Sequence, residues 1–249
     1  MENDRQRVEK ALVASVTTSD AYMTEIASHL ISAGGKRLRP VFTIIGSQVG
    51  NDLVATEAAI AGGVSCELVH LGSLYHDDVM DESDMRRGVE TVNAQWGNLQ
   101  AILAGDFLLA KASEIAASLG TEVAALLART IGRLCEGQIE ELRHTYNVAR
   151  TVDSYLDSID GKTAALYSTA ARIGGLVAGH DRAVVDALTA YGTAYGMVFQ
   201  IVDDVLDLTA TDEELGKPAG NDMKEGVYTL PVLHTLAKGG TDADTLRSI

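Results

Sequence analysis

Proline is scarce: there are 3 in 249 residues, at Pro40, Pro218 and Pro231, so Val41 to Lys217 runs without one. Proline is the residue that removes a backbone donor and jams a helix interior. A stretch without it that is rich in alanine and leucine predicts a long helical array. Cysteine is scarcer still. Cys66 and Cys135 are far apart and match neither a disulfide framework nor a zinc ribbon, which points to a reducing compartment and a cytoplasmic chain. Positive charge is in deficit, 20 Lys and Arg against 35 Asp and Glu for a net −15, which argues against a nucleic-acid or anionic-headgroup partner. Long apolar runs are also missing. Ala187 to Val202, the longest stretch free of Asp, Glu, Lys and Arg, is sixteen residues broken by glycines and Gln200, short of the roughly 20 a bilayer span requires. The six-residue run Ala11 to Val16 is too short for a signal-peptide core. Neither a transmembrane segment nor an export signal is expected.

What is present is enough chain for one large core, read as a single domain over residues 1–249. Asn51-Asp52, Gly120-Thr121, Asp160-Gly161 and Gly179-His180-Asp181 punctuate the proline-free region at intervals suited to helices joined by short turns. Thr209 to Lys224 is polar and reads as the one long loop. In the helix that ends near Asp81, Ala61, Val64, Leu68, Leu71, Tyr75 and Val79 recur at three- and four-residue spacing and predict a core stripe. The opposite side carries Gly62, Cys66, His70, Ser73, Asp77 and Asp81, small residues followed by polar ones and acids, and predicts a cavity-lining face.

That face ends in Asp77-Asp78-Val79-Met80-Asp81, with carboxylates one turn apart that repel each other unless something positive lies between them. Mg²⁺ suits such a pair, because it takes one or two carboxylates and completes its shell with water and substrate phosphates. The pattern returns at Asp203-Asp204-Val205-Leu206-Asp207, 203 − 77 = 126 residues on, preceded by Gly192, Gly196, Phe199 and Gln200. Two acid clusters that end apolar helices could hold several Mg²⁺ ions around one polyphosphate. Cationic donors for the remaining oxygens sit beside turns: Gly34-Gly35-Lys36-Arg37-Leu38-Arg39-Pro40 just ahead of a helix, Arg86-Arg87-Gly88, and Asp160-Gly161-Lys162-Thr163 opening another helix. Lys217 and Lys224 follow in the loop after Asp207. Arginine forks and lysine point charges are what phosphate recognition uses, and there is more charge here than one diphosphate requires.

In order along the chain, these segments resemble the all-trans polyprenyl diphosphate synthases. The matching motifs are GGKRLRP (Gly34 to Pro40), ELVHLGSLYHDDVMD (Glu67 to Asp81), RRG (Arg86 to Gly88), LAGDFLLA (Leu103 to Ala110), GKTA (Gly161 to Ala164), FQIVDDVLD (Phe199 to Asp207) and GKPAGND (Gly216 to Asp222). The resemblance implies an all-α, isoprenoid-synthase-type helical bundle around a deep central cavity, assembled as a homodimer. It also implies a prenyltransferase of isoprenoid biosynthesis that condenses an allylic diphosphate with isopentenyl diphosphate, head to tail, using Mg²⁺, three ions with diphosphate bound. The catalytic set it implies is Asp77, Asp78, Asp81, Arg86, Lys162, Asp203, Asp204 and Asp207, with Asp77, Asp81 and Asp203 as metal ligands. Arg86, Lys162, Thr163, Gln200 and Lys217 would hold the allylic diphosphate, Lys36, Arg39, His70 and Arg87 isopentenyl diphosphate, and Lys224 a loop position near the metals.

Residues one turn and more before Asp77 should border the growing tail. Cys66, Val69, Gly72 and Ser73 include no aromatic floor and predict a product longer than farnesyl diphosphate. Tyr75 belongs to the core stripe, although a ring turned inward would shorten the product. The family usually continues for several helices beyond a segment like Thr229 to Leu233, so this chain, ending at Ile249, is expected to lack them. Two rival readings remain. Glu67-Leu-Val-His70 and Glu141-Leu-Arg-His144 have the spacing of a ferritin-like di-iron bundle. A non-catalytic regulatory subunit of a synthase would keep the fold but tends to lose one acid cluster or the cations, and both are present here.

Overall fold

The computed structural model describes residues 2–50, 54–211 and 219–248. The chain divides into two compact units: residues 1–131 with 168–192, and residues 132–167 with 193–249. The first contains α1 (Glu2–Val16), α2 (Ala21–Ser32), α3 (Leu38–Gln48), α4 (Glu57–Met80), a hairpin of β1 (Met85–Arg86) and β2 (Val89–Glu90), α5 (Val92–Trp96) and α6 (Asn98–Ser118). It also takes the start of α7 (Thr121–Arg143), most of α9 (Ala165–Val177) and the start of α10 (Arg182–Thr209). The second unit takes the remainders of those three helices, α8 (Val152–Ile159), a π-helical turn (Asp160–Ala164), α11 (Asn221–Lys224), α12 (Leu230–Lys238) and α13 (Thr241–Ser248). No helix among the described residues is long and apolar enough to cross a membrane.

Helix starts follow local chemistry. Asp20, Thr56, Thr91 and Thr151 each accept a first-turn backbone N–H, capping α2, α4, α5 and α8. Gly120-Thr121 and Gly179 to Asp181 separate helices as the sequence predicts. Asp160-Gly161 does not: the chain widens there into a π turn and runs on into α9. Of the expected long loop, Asn221–Lys224 is a helical turn, residues 212–218 lie outside the described residues, and so does Asn51-Asp52.

In the first unit α4 packs against α1, α3 and α6, and residues 62–69 are buried on every side. A helix apolar all round is a buried helix. The predicted cavity face is therefore absent over Gly62 and Cys66, and polar exposure begins only at His70. Small residues let the neighbours approach: a Cβ on Gly63 would lie 2.8 Å from Pro40 Cα, and one on Gly72 would lie 3.0 Å from the Gly105 carbonyl of α6. Tyr75 keeps to the core stripe, its hydroxyl donating to the Ile26 carbonyl at 2.8 Å. In the second unit Tyr155, Ile159 and Leu233 form a core with Met197, Ile201 and Leu230 packed against it.

Candidate active site

The basic residues of the first unit divide by task. α3 begins at Leu38, so Arg39 and Pro40 lie inside its first turn rather than ahead of it. Arg37 precedes it in the left-handed region (φ +51°) and is buried. Its guanidinium donates to Glu9 Oε1 at 2.7 Å and Oε2 at 3.0 Å, to the Ile31 carbonyl at 2.9 Å, and to Glu67 Oε1 at 3.2 Å. Arg37 is thus a strut that holds the turn, between an exposed Lys36 and a partly exposed Arg39.

The hairpin was not legible in the sequence. Met85 pairs with Glu90 and Arg86 with Val89, leaving Arg87 and Gly88 as turn residues, both at positive φ (+54° and +79°). That is the type I′ requirement of a two-residue hairpin. Arg87 accepts the left-handed backbone while its Nη1 donates to the carbonyls of Gly34 and Leu30. Arg86 Nε donates to the buried Asp78 carboxylate. Burial first, and then the fields of Arg39, Arg87, Arg86 and Arg37, push the His70 imidazole well below its usual 6.5. His70 is therefore a neutral ring at pH 7 within a field of four arginines.

Each aspartate cluster splits into inward and outward acids. Asp78, Asp204 and Asp207 are buried, whereas Asp77 is partly exposed and Asp81 and Asp203 are exposed. The inward three hold protein groups in this structure. Asp78 holds Arg86. Asp207 accepts the Asp222 N–H at 3.3 Å, and its carbonyl accepts the Gly220 N–H at 2.8 Å, tying the following loop to α10. Asp204 accepts from Tyr155 and Gln200. Burial raises the pKa of Asp78 and of Asp204, against the lowering effect of those partners.

The four residues expected to border the growing tail differ in exposure. Cys66 and Val69 are 0% exposed. Burial pushes the Cys66 thiol up to about 12. Gly72 serves the close crossing with α6. Ser73 alone of the four is partly exposed, and its hydroxyl donates to the His70 carbonyl at 2.9 Å.

In the second unit the π turn carries Lys162 and Thr163. A Cβ on Gly137 of α7 would lie 2.5 Å from the Lys162 nitrogen and 2.7 Å from the Ser158 carbonyl. This backbone-to-backbone approach accompanies the extra residue in the turn, a feature common at functional sites. Lys162 Nζ pairs with Glu141 at 2.6 Å. Thr163 Oγ1 donates to Gln200 Oε1 at 2.7 Å, and Gln200 Nε2 to Asp204 Oδ1 at 2.8 Å. Lys224 is exposed and its Nζ reaches the Ala219 carbonyl at 3.4 Å, while the Tyr146 hydroxyl donates to the Lys224 carbonyl at 3.1 Å. Lys217 lies outside the described residues. Sequence reasoning gives Tyr146 and Tyr155 no role, and gives Glu67 and Glu141 only the iron-ligand reading rather than their pairs with Arg37 and Lys162. Tyr155 lies seven residues before Lys162, about two turns, but nothing in its type announces a partner.

Among the described residues no group of three or more His, Cys, Asp or Glu forms a ready metal cage. Mg²⁺ does not need one, since carboxylates such as those of the partly exposed Asp77 and the exposed Asp81 and Asp203 are the hard donors it takes alongside phosphate.

Residues 20–249 match the model of the family described as polyprenyl synthetase. The chain belongs to that family. It is a prenyltransferase, a trans-polyprenyl diphosphate synthase with the all-α fold of those enzymes. It is 42% identical to a nonaprenyl diphosphate synthase of Mycobacterium tuberculosis over 243 residues, 98% of this chain and 72% of the relative. The structure of a heptaprenyl diphosphate synthase from Staphylococcus aureus matches with TM-score 0.95 and 36% identity, over 100% of this chain and 78% of that one. That of a polyprenyl synthase from Caulobacter crescentus, complexed with calcium and isoprenyl diphosphate, matches with TM-score 0.92 and 34% identity, over 99% and 75%. The synthase's Glu-x-x-His segments have other tasks than iron: Glu67 pairs with Arg37, Glu141 with Lys162, and His144 with Glu140 at 3.2 Å and Asn147 at 2.8 Å.

Proposed function

We propose that this synthase condenses an allylic diphosphate with isopentenyl diphosphate, head to tail and in a Mg²⁺-dependent way, to a polyprenyl diphosphate longer than farnesyl. The observation that carries the reading is the division of both aspartate clusters, with Asp81 and Asp203 exposed and Asp77 partly exposed while Asp78, Asp204 and Asp207 are buried. Those three carboxylates would hold Mg²⁺, which when bound supplies positive charge against the charge developing on departing pyrophosphate. The calcium and isoprenyl diphosphate in the Caulobacter relative support a divalent ion with a diphosphate ligand. For product length, the support is the nonaprenyl and heptaprenyl names of the relatives.

Arg86, Lys162, Thr163, Gln200 and Lys217 hold the allylic diphosphate, Lys36, Arg39, His70 and Arg87 hold isopentenyl diphosphate, and Lys224 is a loop position near the metals. The allylic C1–O bond breaks and its electron pair leaves with pyrophosphate. The isopentenyl double bond attacks C1 through its C4, which leaves a cation at isopentenyl C3, and isopentenyl C2 loses a proton to the pyrophosphate to form the new double bond. No side-chain nucleophile is required, because the cationic side chains stabilise the leaving group in place. Neutral His70 can donate one ring N–H to a phosphate oxygen without adding a fifth cation to the four arginines around it. The two free thiols support a reducing, cytoplasmic setting. Exposed Leu99, Ile102 and Leu103 on α6 support a homodimer.

Purified protein incubated with Mg²⁺, labelled isopentenyl diphosphate and, separately, dimethylallyl, geranyl, farnesyl and geranylgeranyl diphosphates should give products beyond farnesyl. A stop at farnesyl overturns the length. Absence of product from every starter overturns the condensation and favours a non-catalytic subunit.

A further inference from the structure

Thr163 and Gln200 stand at the outer end of a hydrogen-bonded row that continues inward. Gln200 Nε2 donates to Asp204 Oδ1 at 2.8 Å, and the Tyr155 hydroxyl donates to Asp204 Oδ2 at 2.5 Å. Asp204 is 4% exposed and Tyr155 2%, so water does not compete for either contact. The Tyr155 ring packs among Ile159 and Leu233, with the Arg150 guanidinium 5.6 Å from its centroid. The row has a direction. A carboxylate only accepts, so the Gln200 end that faces Asp204 must be its NH₂ and the end that faces Thr163 its oxygen. The Thr163 hydroxyl donates to that oxygen at 2.7 Å. The second hydrogen on Gln200 Nε2 is then the one donor of the row that can be presented to a ligand oxygen. An amide has little intrinsic preference between its two flipped states, so the acceptor at Asp204 decides which state is populated.

Resting on the substrate reading above, we propose that Tyr155 is a positioning residue for the allylic diphosphate. Its hydroxyl holds the buried Asp204 carboxylate, Asp204 sets the orientation of the Gln200 amide, and the amide presents an N–H to the diphosphate. Asp204 in this role is an internal acceptor and Asp203, its exposed neighbour, the metal-facing acid. Removing a group that orients a metal-ligating side chain typically costs about 10-fold to 100-fold in affinity or activity, and the low end of that range is the expectation for an amide oriented on a diphosphate.

Tyr155→Phe keeps the ring, its packing and its contact with Arg150 and removes only the hydroxyl. Calorimetric titration with farnesyl diphosphate and with isopentenyl diphosphate, both with Mg²⁺, should show farnesyl diphosphate bound about tenfold more weakly by the variant and isopentenyl diphosphate bound within about twofold of wild type. In a Gln200→Ala background the same substitution should have no further effect on farnesyl diphosphate, because the group it acts through is gone. Equal weakening of both ligands, unchanged binding of farnesyl diphosphate, or an effect that persists in the Gln200→Ala background overturns the proposal. Wild-type protein that binds farnesyl diphosphate with this Tyr155 dependence but does not elongate it would overturn the condensation reading and leave this one standing. Wild-type protein that does not bind it overturns both.

Discussion

Residues of one type and one motif have different tasks here, and burial decides which. Of the cations in Gly34 to Pro40, Arg37 is buried against Glu9 and Glu67, whereas Lys36 is exposed. A buried arginine requires acceptors for its desolvated donors and so becomes a strut. His70 shows the same principle with a measurable consequence. Its folded pKa lies well below 6.5, chiefly through burial and then through the four arginines. Below about pH 6.5 the unfolded chain binds a proton that the folded chain refuses, so folding stability falls as pH drops below that value. His70→Gln should remove this contribution. Denaturant unfolding between pH 7.5 and pH 5 should show the wild type losing stability more steeply than the variant, by at most about 1.4 kcal/mol per pH unit. Parallel curves would mean that His70 titrates normally in the folded protein.

At the scale of elements, close packing at glycines sets the local geometry. Gly137 and Gly132 lie on the same helix, α7, in opposite situations. A Cβ at Gly137 would meet the backbone of Lys162 and Ser158 at 2.5 and 2.7 Å, and at Gly132 it would meet nothing within 4 Å. Backbone cannot move aside as a flexible side chain can. Gly137→Ala should therefore destabilise by about 1–3 kcal/mol, displace the turn bearing Lys162 and Thr163, and lower turnover. Gly132→Ala should stabilise by about 0.5–1 kcal/mol through helix propensity alone. Thermal unfolding of the two variants checks the pair, and a Gly137→Ala protein as stable as wild type would show that the π turn does not depend on this contact. The identity of α4 as a helix was legible from its apolar spacing. Its burial on all sides was not. Periodicity reports which positions are apolar, and Gly62 and Cys66 are small enough to read as polar-face residues although they are packed against neighbours.

For the whole molecule, a net charge of −15 disfavours non-specific self-association, so an apolar surface that persists against it stands out. On α6, Leu99 is 75% exposed and Leu103 66% exposed, with Ile102 between them in sequence. If this face joins two copies, Leu103→Glu should convert a dimer into a monomer, seen as a halved mass by light scattering after size-exclusion chromatography. A wild type that is already monomeric, or a variant that remains dimeric, would remove α6 from the interface.

The amino-acid sequence by itself determined the helical class, both aspartate clusters, the order of the cationic motifs and hence the family. These depend on residue identity and short spacing, which the chain carries locally. Only the tertiary structure decided which aspartates turn inward, that Arg37 is a strut while Arg87 caps a hairpin, that Cys66 and Val69 are buried, and that Tyr155 stands behind Asp204. Most of those depend on a partner eight or more positions away in the chain, such as Arg86 for Asp78 or Asp204 for Tyr155. A contact of that kind exists only once the helices have packed.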